Sequence, residues 1–385
     1  MPSLSTAPDA LATGDHGTIP PLNIGIIGCG NISQTYFNAA KTFPVLNVVA
    51  CADINKAAAQ AKAAEHGVRE LPVDDLLKMD EIDAIINLTI PAAHAEITLR
   101  ALEAGKHVHG EKPLAVTREE GQAIVRKARE QGLRVSSAPD TFLGAGLQTC
   151  RKILNDGWLG RPIGGNAVML GHGPEGWHPN PGFFYQKGAG PMFDMGPYYL
   201  TALVSLLGPV KRVAAITGKA FPQRLATCKE HYGEWLPVEV PTHLAGTLEF
   251  HNGAIVTVTI SFDVWNTHNP NPIAIFGTEG SLQAPDPNGF GGTVHYLRGT
   301  APGWQEMPHS HGYADNMRSI GLADMAYALH SGRPHRCSLE MAYHVLDVMH
   351  TFEESSLAGS HLEVASTCPQ PAPLPLGLPH GMLDS

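Results

Sequence analysis

A glycine-rich turn early in the sequence has the residue types that bind a phosphate group. Gly28 and Gly30 lie in the run Gly28–Ser33, after a short apolar stretch and before a helical one. The first glycine permits a tight turn, and the second lets the backbone approach a pyrophosphate at the N-terminus of the following helix. The third small position of this pattern holds Ser33, where glycine or alanine is usual. The spacing predicts a dinucleotide-binding loop.

An acidic residue, Asp53, ends the next apolar run, Val48–Ala52. A carboxylate at this point accepts hydrogen bonds from the ribose hydroxyls of NAD and repels the 2′-phosphate of NADP. No Arg or Ser follows it directly, since the chain continues with Ile54 and Asn55. The sequence therefore favours NAD over NADP. The alternative is that Asp53 only caps the following helix.

A lysine, Lys112, stands between Glu111 and Pro113, just after the short apolar run that contains Val108. Ligands of open α/β sheets collect at the carboxyl ends of the strands, so we expect Lys112 to point toward the nicotinamide. An X-Pro bond at such a place is also a candidate cis peptide. The alternative is a surface lysine before a turn.

These residues require elements that bring strand ends together, and the first half of the chain has the necessary pattern. Apolar runs alternate with helical stretches, which predicts a doubly wound parallel sheet of the Rossmann type with helices on both faces. Thr117 and Glu120 have the spacing of a capping box, and Gly132 follows the end of that helix. The predicted strands are Asn23–Ile27, Asn47–Ala52, Ala84–Thr89, His107–Val108 and Arg134–Ser137, and the predicted helices are Ile32–Phe43, Lys56–His66, His94–Ala104 and Arg118–Gln131.

The second half has a different texture, and its clearest element is a hairpin over Leu244–Phe262 with Asn252 and Gly253 at the turn. Its alternation predicts an α+β domain with a large, mostly antiparallel open sheet. One face, which carries Thr257, Thr259 and Ser261, is left for solvent or a second subunit. The other predicted elements are a strand at Ile163–Leu170 and helices near Leu147–Asp156, Pro197–Leu207, Asp315–His330 and Leu339–Leu357.

These patterns divide the 385 residues into four parts. Residues 1–21 have no periodicity and are expected to form a flexible leader, followed by a dinucleotide-binding domain at 22–141. A substrate-binding and oligomerisation domain is expected at 142–365. Residues 366–385 form a proline-rich tail that is expected to be extended, either strapped across the surface or loose.

Bulk composition excludes several classes of protein. The net charge of −10 argues against a nucleic-acid partner, and no run of 18 apolar residues is present to span a membrane. The start of the chain lacks the features of a signal peptide. The six cysteines form no CxxC pair, so neither a metal site nor a disulfide framework is indicated, and a reducing cytoplasm is the expected location.

Taken together, the motifs resemble those of the Gfo/Idh/MocA oxidoreductase family, which includes glucose–fructose oxidoreductase and inositol dehydrogenase. The resemblance runs from about Asn23 to Val364, and its motifs recur in the same order across both halves. They are Gly28–Ser33, Asp53, Pro91 with His94, Ala104–Val108, Glu111–Pro113, Gly188–Pro191, Asp194–Tyr198 and Gly277–Leu282.

The resemblance implies an NAD(P)-linked oxidation or reduction at a sugar or cyclitol carbon. It assigns to Lys112 and Asp194 the positioning of the reacting hydroxyl. The family's usual acid–base histidine is replaced here by Tyr198, as in the glucose–fructose oxidoreductase branch. A phenol can relay a proton if a nearby cation lowers its pKa, and Lys112 is the expected cation. The candidate cofactor-binding residues are Gly28, Gly30, Asn31, Ile32, Asp53, His94, Glu111, Lys112 and Pro113.

Simpler roles remain open for the second motif. Asp194 could be the N-cap of the helix that follows it, and Tyr198, one turn later on the same face, could be a packing residue. The aromatic segment Trp177–Tyr185 precedes this motif and offers ring faces and hydrogen bonds to a sugar. The candidate substrate-binding residues are Trp177, His178, Asn180, Tyr185 and Tyr199.

Two other functions are compatible with the sequence. One is an NAD-dependent glycoside-cleaving enzyme, which oxidises a hydroxyl transiently, permits elimination and returns the hydride. The other is a non-catalytic nucleotide-binding regulator, against which the presence of Lys112 and Asp194 argues. Besides a carbohydrate substrate, the expected partner is a second copy of the chain, in a dimer or tetramer formed through the C-terminal sheet.

Overall fold

The first half of the chain forms one fully parallel sheet, as predicted. The computed structural model describes residues 19–265 and 269–384. The sheet has six strands in the order β3-β2-β1-β4-β5-β6, and helices connect its strands. The strands are β1 Leu22–Ile27, β2 Leu46–Ala52, β3 Arg69–Glu70, β4 Ala84–Asn87, β5 His107–Gly110 and β6 Val135–Ser137. The helices are α1 Ser33–Ala40, α2 Lys56–His66, α3 Val73–Leu77, α4 Pro91–Glu103 and α5 Arg118–Gln131.

Local sequence signals explain where these elements begin and end. The Thr117 side chain accepts a hydrogen bond from the backbone N–H of Glu120, whose side chain reaches back to the cap, so the predicted capping box is confirmed. Gly132 ends α5 in the left-handed conformation, with φ of 65°. In β1, Ile24, Ile26 and Ile27 are all buried because helices cover both faces of the sheet.

The second half forms a nine-stranded sheet in the order β16-β15-β14-β13-β7-β12-β11-β8-β17. All neighbouring strands are antiparallel except β7 and β12. Two further strands form a separate pair. The strands are β7 Pro162–Leu170, β8 Val210–Gly218, β9 Gln223–Leu225, β10 Trp235–Pro237, β11 His243–Phe250, β12 Ile255–Ser261, β13 Ile273–Gly277, β14 Gly280–Ala284, β15 Val294–Arg298, β16 Gln305–Met307 and β17 Leu362–Glu363. The helices are α6 Ala145–Asn155, α7 Gly190–Asp194, α8 Gly196–Leu207, α9 Ile320–Ser331 and α10 Leu339–Ala358.

The predicted hairpin is β11 paired with β12, and its buried face is the predicted one. Leu248 lies opposite Val256, and both side chains are buried. On the other face Thr257 is exposed, but Ser261 is fully buried. The Ser261 hydroxyl keeps polar partners in this buried position, because it lies 2.9 Å from His243 Nδ1 and accepts a hydrogen bond from the backbone N–H of Asp263.

Helices pack between the two sheets and join the halves. Every residue of α8 is buried, which agrees with a sequence that is apolar around the whole helix. Helix α10 packs on α8 and β8 in its own half and on α5 of the first half. At that contact Arg118 of α5 binds the buried carboxylate of Asp347 in α10, with 2.5 Å between Nε and Oδ1.

The starts of two predicted helices differ from the structure: α4 begins at Pro91, three residues before the predicted His94, and the last but one helix begins later than predicted. Helix α9 begins at Ile320, not near Asp315. The preceding residues cannot continue the helix because Tyr313 and Ser319 have positive φ, 67° and 114°. The carboxylate of Asp140, from the end of the first half, holds this segment by accepting hydrogen bonds from the backbone N–H groups of Ser319 and Gly321.

The proline-rich tail lies against the protein, and residues 364–384 contain no helix or strand. Cys368, Leu374 and Leu383 are buried. The backbone N–H of Leu374 donates to the Gln148 side chain, and Tyr313 donates its hydroxyl to the Met382 carbonyl. Most of the predicted leader, residues 1–18, lies outside the described residues. Among the helices in the described part of the chain, none combines the length and apolarity that a bilayer span requires.

Candidate active site

The glycine-rich loop connects β1 to α1 at the carboxyl edge of the parallel sheet. Gly28 has φ of 105°, and a Cβ there would lie 2.5 Å from the carbonyl oxygen of Leu88, so only glycine fits. A Cβ at Gly30 would have no atom within 4 Å, which leaves open space above the loop for a pyrophosphate. Ser33 is buried and donates its hydroxyl to the Gly30 carbonyl at 2.7 Å. These residues fit a dinucleotide.

Asp53 lies beside this loop and holds its shape. Its carboxylate accepts hydrogen bonds from the backbone N–H groups of Cys29, at 2.6 Å, and Asn55, at 2.7 Å. The cap of α2 is Asn55, so helix capping is not the role of Asp53. The carboxylate remains half-buried, next to the fully exposed Ile54. Of the two other predicted loop residues, Asn31 is exposed, and Ile32 is half-buried at the start of α1.

Lys112 and Asp194 meet across the two halves of the protein. The Lys112 ammonium donates hydrogen bonds to both the backbone carbonyl and Oδ1 of Asp194, each at 2.7 Å. The Lys112–Pro113 peptide bond is cis, as predicted. Burial by itself lowers the pKa of Lys112, but the negative charges that face it, above all Asp194, raise that pKa above its usual range. Lys112 is therefore a charged donor at neutral pH.

Two buried side chains support the Lys112 loop from below. Glu111 accepts hydrogen bonds from the Tyr36 hydroxyl at 2.7 Å and from the backbone N–H of Lys112 at 3.0 Å. His94 places its ring nitrogens 2.7 Å from the Pro113 carbonyl and 2.9 Å from the Thr89 carbonyl. Burial lowers the pKa of His94. The geometry of His94 and Glu111 fits support of the loop better than direct contact with a cofactor.

Asp194 ends the short helix α7 and does not cap α8, whose capping residue is Met195. Tyr198 follows in the first turn of α8, with the Lys112 Nζ atom 5.1 Å from its ring centroid. Burial raises the pKa of the Tyr198 phenol, and the opposing charges of Lys112 and Arg318 do not cancel that effect. The phenol therefore keeps its proton at neutral pH. The expected pKa-lowering effect of Lys112 is present but smaller than the effect of burial.

Arg318 is a site residue that sequence reasoning missed. It lies just before α9, and one guanidinium nitrogen approaches the Tyr198 hydroxyl at 3.4 Å. The same nitrogen donates to the Asn288 side chain at 3.0 Å. The sequence offered no signal for this placement, because Arg318 fell within the predicted helix Asp315–His330, where a single arginine is typical of an exposed face.

The predicted substrate residues occupy two different environments. Trp177 and Asn180 are exposed, and the half-buried His178 accepts a hydrogen bond from the Asn180 backbone N–H at 3.0 Å. Tyr185 is completely buried in a small apolar cluster with Phe184 and Phe262. Tyr199 is also buried, which raises the pKa of its phenol. This burial argues against the predicted sugar contacts of Tyr185 and Tyr199.

An aromatic pair that the sequence analysis also missed follows the ends of the parallel strands β7 and β12. The rings of His172 and Trp265 stack with 3.4 Å between their centroids, and Trp265 is exposed. Arg224 ties both segments together, because its buried guanidinium binds Glu175 on one side and Asp263, at 3.0 Å, on the other. Over residues 19–265 and 269–384, no group of three His, Cys, Asp or Glu side chains is arranged to hold a metal ion.

Comparison with known proteins relates both halves to enzymes. A family model described as "Oxidoreductase family, NAD-binding Rossmann fold" matches residues 22–138, and a model of the GFO/IDH/MocA C-terminal domain matches residues 147–283. A D-glucoside 3-dehydrogenase from Escherichia coli is 32% identical over 64% of this chain and 71% of its own length. A levoglucosan dehydrogenase from Pseudarthrobacter phenanthrenivorans is 27% identical over 68% of this chain and 73% of its own length.

Solved structures share the fold at lower sequence identity. A levoglucosan dehydrogenase in complex with NADH superimposes with a TM-score of 0.78 at 21% identity, covering 90% of this chain and 100% of that one. An NAD binding oxidoreductase from Klebsiella pneumoniae gives a TM-score of 0.77 at 21% identity, with 90% and 99% coverage. Both halves of the chain therefore share the fold of these two structures.

Proposed function

The chain belongs to the Gfo/Idh/MocA oxidoreductase family, and on that premise we propose that it transfers a hydride between NAD and a hydroxyl-bearing carbon of a sugar, glycoside or cyclitol. The observation that carries this proposal is the Lys112–Asp194 pair beside Tyr198, with 2.7 Å between Lys112 Nζ and Asp194 Oδ1. A charged donor, a carboxylate and a phenol thus lie together at the carboxyl edge of the sheet that carries the glycine loop.

NAD, when bound, supplies the hydride acceptor for alcohol oxidation. The open space over Gly30 would hold the pyrophosphate, and Asp53 would accept hydrogen bonds from the adenosine ribose hydroxyls. The charge of Asp53 supports NAD over NADP. Asn31 and Ile32, at the N-terminus of α1, complete the proposed phosphate-binding loop.

Lys112 and Asp194 orient the substrate. The ammonium donates to the oxygen of the reacting carbon, and the negative charge that develops on that oxygen is stabilised beside it. Asp194 holds the ammonium in place through its carbonyl and carboxylate oxygens. Trp177, His178 and Asn180, on the loop before α7, are proposed to contact the remaining sugar hydroxyls and ring faces.

Tyr198 moves the proton. In the reductive direction the protonated phenol donates to the alkoxide oxygen as hydride reaches the carbon. In the oxidative direction the phenol must first lose its proton, because burial raises its pKa, and it then accepts the proton of the substrate hydroxyl. Oxidation is therefore expected to accelerate as the pH rises, and reduction to accelerate as it falls.

A substrate panel with matched variants tests this function. NAD reduction is measured with monosaccharides, cyclitols and glycosides, for the wild-type protein and for Tyr198→Phe. We expect NADH release from at least one substrate and a fall of about 10²–10⁴-fold in Tyr198→Phe, the usual contribution of general acid–base catalysis. NADH binding, followed by fluorescence, should persist in the variant.

The same panel separates the alternatives. Cleavage of a glycoside without net NADH release would replace net oxidation by transient oxidation and elimination. Tight NADH binding with no turnover of any panel member would indicate a nucleotide-binding regulator. Near-wild-type activity of Tyr198→Phe across the pH range would assign the proton relay to another residue, such as His178.

Assembly and location are part of the proposal. The open face of the nine-stranded sheet carries the exposed Ile216 and Thr257, which supports pairing of two sheets in a dimer or tetramer. Light scattering should give a mass above that of a 41.0 kDa monomer at micromolar concentration, and a monomer would contradict this.

The six buried free cysteines support a reducing cytoplasmic location. The matched ranges, 22–138 and 147–283, support a boundary between the proposed domains 22–141 and 142–365, and the net charge of −10 supports the absence of a nucleic-acid partner.

A further inference from the structure

Arg318, the arginine next to the Tyr198 hydroxyl, is held in one orientation by several hydrogen bonds. Its guanidinium makes three side-chain hydrogen bonds: to Tyr198 at 3.4 Å, to Asn288 at 3.0 Å and to Asn316 at 3.0 Å. Asn288 and Asn316 are uncharged, so neither partner neutralises the guanidinium. The guanidinium is therefore oriented toward the phenol oxygen and keeps its full charge.

Buried hydrogen bonds fix the main chain beside Arg318. Asp140 accepts hydrogen bonds from the backbone N–H groups of Ser319, at 3.0 Å, and Gly321, at 3.1 Å. The Ser319 hydroxyl also donates to the backbone carbonyl of Tyr36 at 3.3 Å. Ser319 has φ of 114°, an unfavourable conformation for a serine. The main chain beside Arg318 is thus held by residues of the first half.

Two cations face Tyr198, and Arg318 is the one that hydrogen-bonds to its hydroxyl. From the loop after β5 come Glu111 and Lys112, and Lys112 is hydrogen-bonded to Asp194 from the end of α7. From the segment before α9 comes Arg318, whose three side-chain hydrogen-bond partners are all uncharged. A cation that donates to a phenol oxygen favours its deprotonated form.

We propose that Arg318 is a positioning residue that orients the Tyr198 hydroxyl and stabilises its negative charge during proton transfer. This inference rests on the proposed role of Tyr198 as the proton relay. When a substrate alcohol is oxidised, its hydride goes to NAD and its hydroxyl proton goes to the Tyr198 oxygen. Arg318 stabilises that oxygen while it is negative and does not itself gain or lose a proton, because a guanidinium stays charged. In reduction the same steps run backwards.

The pH profile of alcohol oxidation tests the proposal with two substitutions at one position. Arg318→Met removes the charge and keeps much of the side-chain length. The rising limb of the plot of kcat/KM against pH should therefore move to higher pH by about one unit, so that kcat/KM at pH values on this limb falls about tenfold. Arg318→Lys keeps the charge but loses the guanidinium fork, and its limb should lie between those of the wild type and Arg318→Met. Fluorescence titration with NADH identifies correctly folded variants.

A control and a double variant make the result specific. Arg298→Met, an exposed arginine at the end of β15, should leave the limb unchanged. In a Tyr198→Phe background, Arg318→Met should cause no further shift, because the group that it acts on is gone. A limb that stays in place in both Arg318 variants would overturn the inference, even if overall activity falls.

Different results would contradict the role of Tyr198 and the role of Arg318. If Tyr198→Phe keeps most of its activity, Tyr198 is not the relay and the role of Arg318 falls with it. If Tyr198→Phe is impaired but the Arg318 variants have the wild-type profile, the proposed function stands and only the role of Arg318 is wrong.

Discussion

The cofactor side and the substrate side of the site are built from contacts of very different range. On the cofactor side, Asp53 binds Cys29, 24 residues away, and both lie in adjacent connections of one sheet. On the substrate side, Lys112 binds Asp194 across 82 residues, and Arg318 reaches Tyr198 across 120. The first arrangement follows from one repeating βα unit, whereas the second depends on packing between elements that are far apart in the chain, and for Lys112 and Asp194 between the two halves.

This difference in range predicts a difference in behaviour. Substitutions on the substrate side should change turnover with little effect on NADH binding. Substitutions in the glycine loop region should change cofactor binding, and substitutions at the contact between α5 and α10 should change the stability of the whole assembly. Four experiments, from the largest expected effect to the smallest, test whether the two sides are separable in this way.

The largest effect is expected for Asp194→Asn, which removes the charge of the Lys112 partner at constant shape. Turnover should fall by about 10²–10⁴-fold, the range that a positioned acid–base apparatus contributes. The NADH dissociation constant should change little, because the glycine loop does not depend on Asp194. Steady-state kinetics and fluorescence titration measure the two effects. Glu249→Gln, which alters a surface ion pair, is the matched control. An equally large loss of NADH binding in Asp194→Asn would show that the two sides are coupled.

The second largest effect is expected for Arg118→Met, which should weaken the contact between the two halves. Asp347 is buried, and removal of its cation leaves a buried charge without an ionic partner, which costs about 3–5 kcal/mol. The free energy of unfolding, measured in denaturant, should fall by about that amount. Arg129→Met is the control on the same helix, because Arg129 is exposed and its 3.5 Å pair with Glu340 should contribute less than about 1 kcal/mol. Equal losses in both variants would remove any special role of the buried pair.

Asp53 should make the affinity for NADH about tenfold higher than the affinity for NADPH. The wild-type protein should bind NADH more tightly than NADPH by at least the factor that ~1.4 kcal/mol represents. Asp53→Asn keeps an acceptor for the Cys29 N–H group but removes the charge, so the preference should narrow while the loop keeps its shape. Asp53→Ala loses both functions and should also weaken NADH binding. Equal wild-type affinities for NADH and NADPH, by fluorescence titration, would contradict the role of Asp53.

The smallest effect is a local one, at the capping box of α5. Thr117→Ala removes the hydrogen bond to the Glu120 N–H group and should destabilise the protein by about 1 kcal/mol. Thr117→Ser restores the hydroxyl and should recover most of that loss. Thermal unfolding of the two variants measures this loss of stability. Turnover at low temperature should stay at the wild-type level in both. A large loss of turnover in Thr117→Ala would mean that the α5 terminus influences the site directly.

Elements with strong local signals were predicted closely. Helices α2 and α5 have the predicted bounds, because Asn55, Thr117 and the following glycines Gly67 and Gly132 mark their ends chemically. Helix α9 was misplaced by five residues because its start depends on Asp140, which is distant in sequence. No local pattern records such a contact.

The sequence by itself determined the parallel sheet, the glycine loop with Asp53 beside it, and the presence of Lys112 at a strand end. Each depends on neighbours along the chain, through steric limits at Gly28 and the alternation of strands and helices. Only the tertiary structure decided which groups meet Lys112 and Tyr198. Those contacts with Asp194 and Arg318 arise where α7 and the start of α9 pack against the first half. Such packing follows from the burial of whole helix and sheet faces, which many sequences satisfy and no short motif encodes.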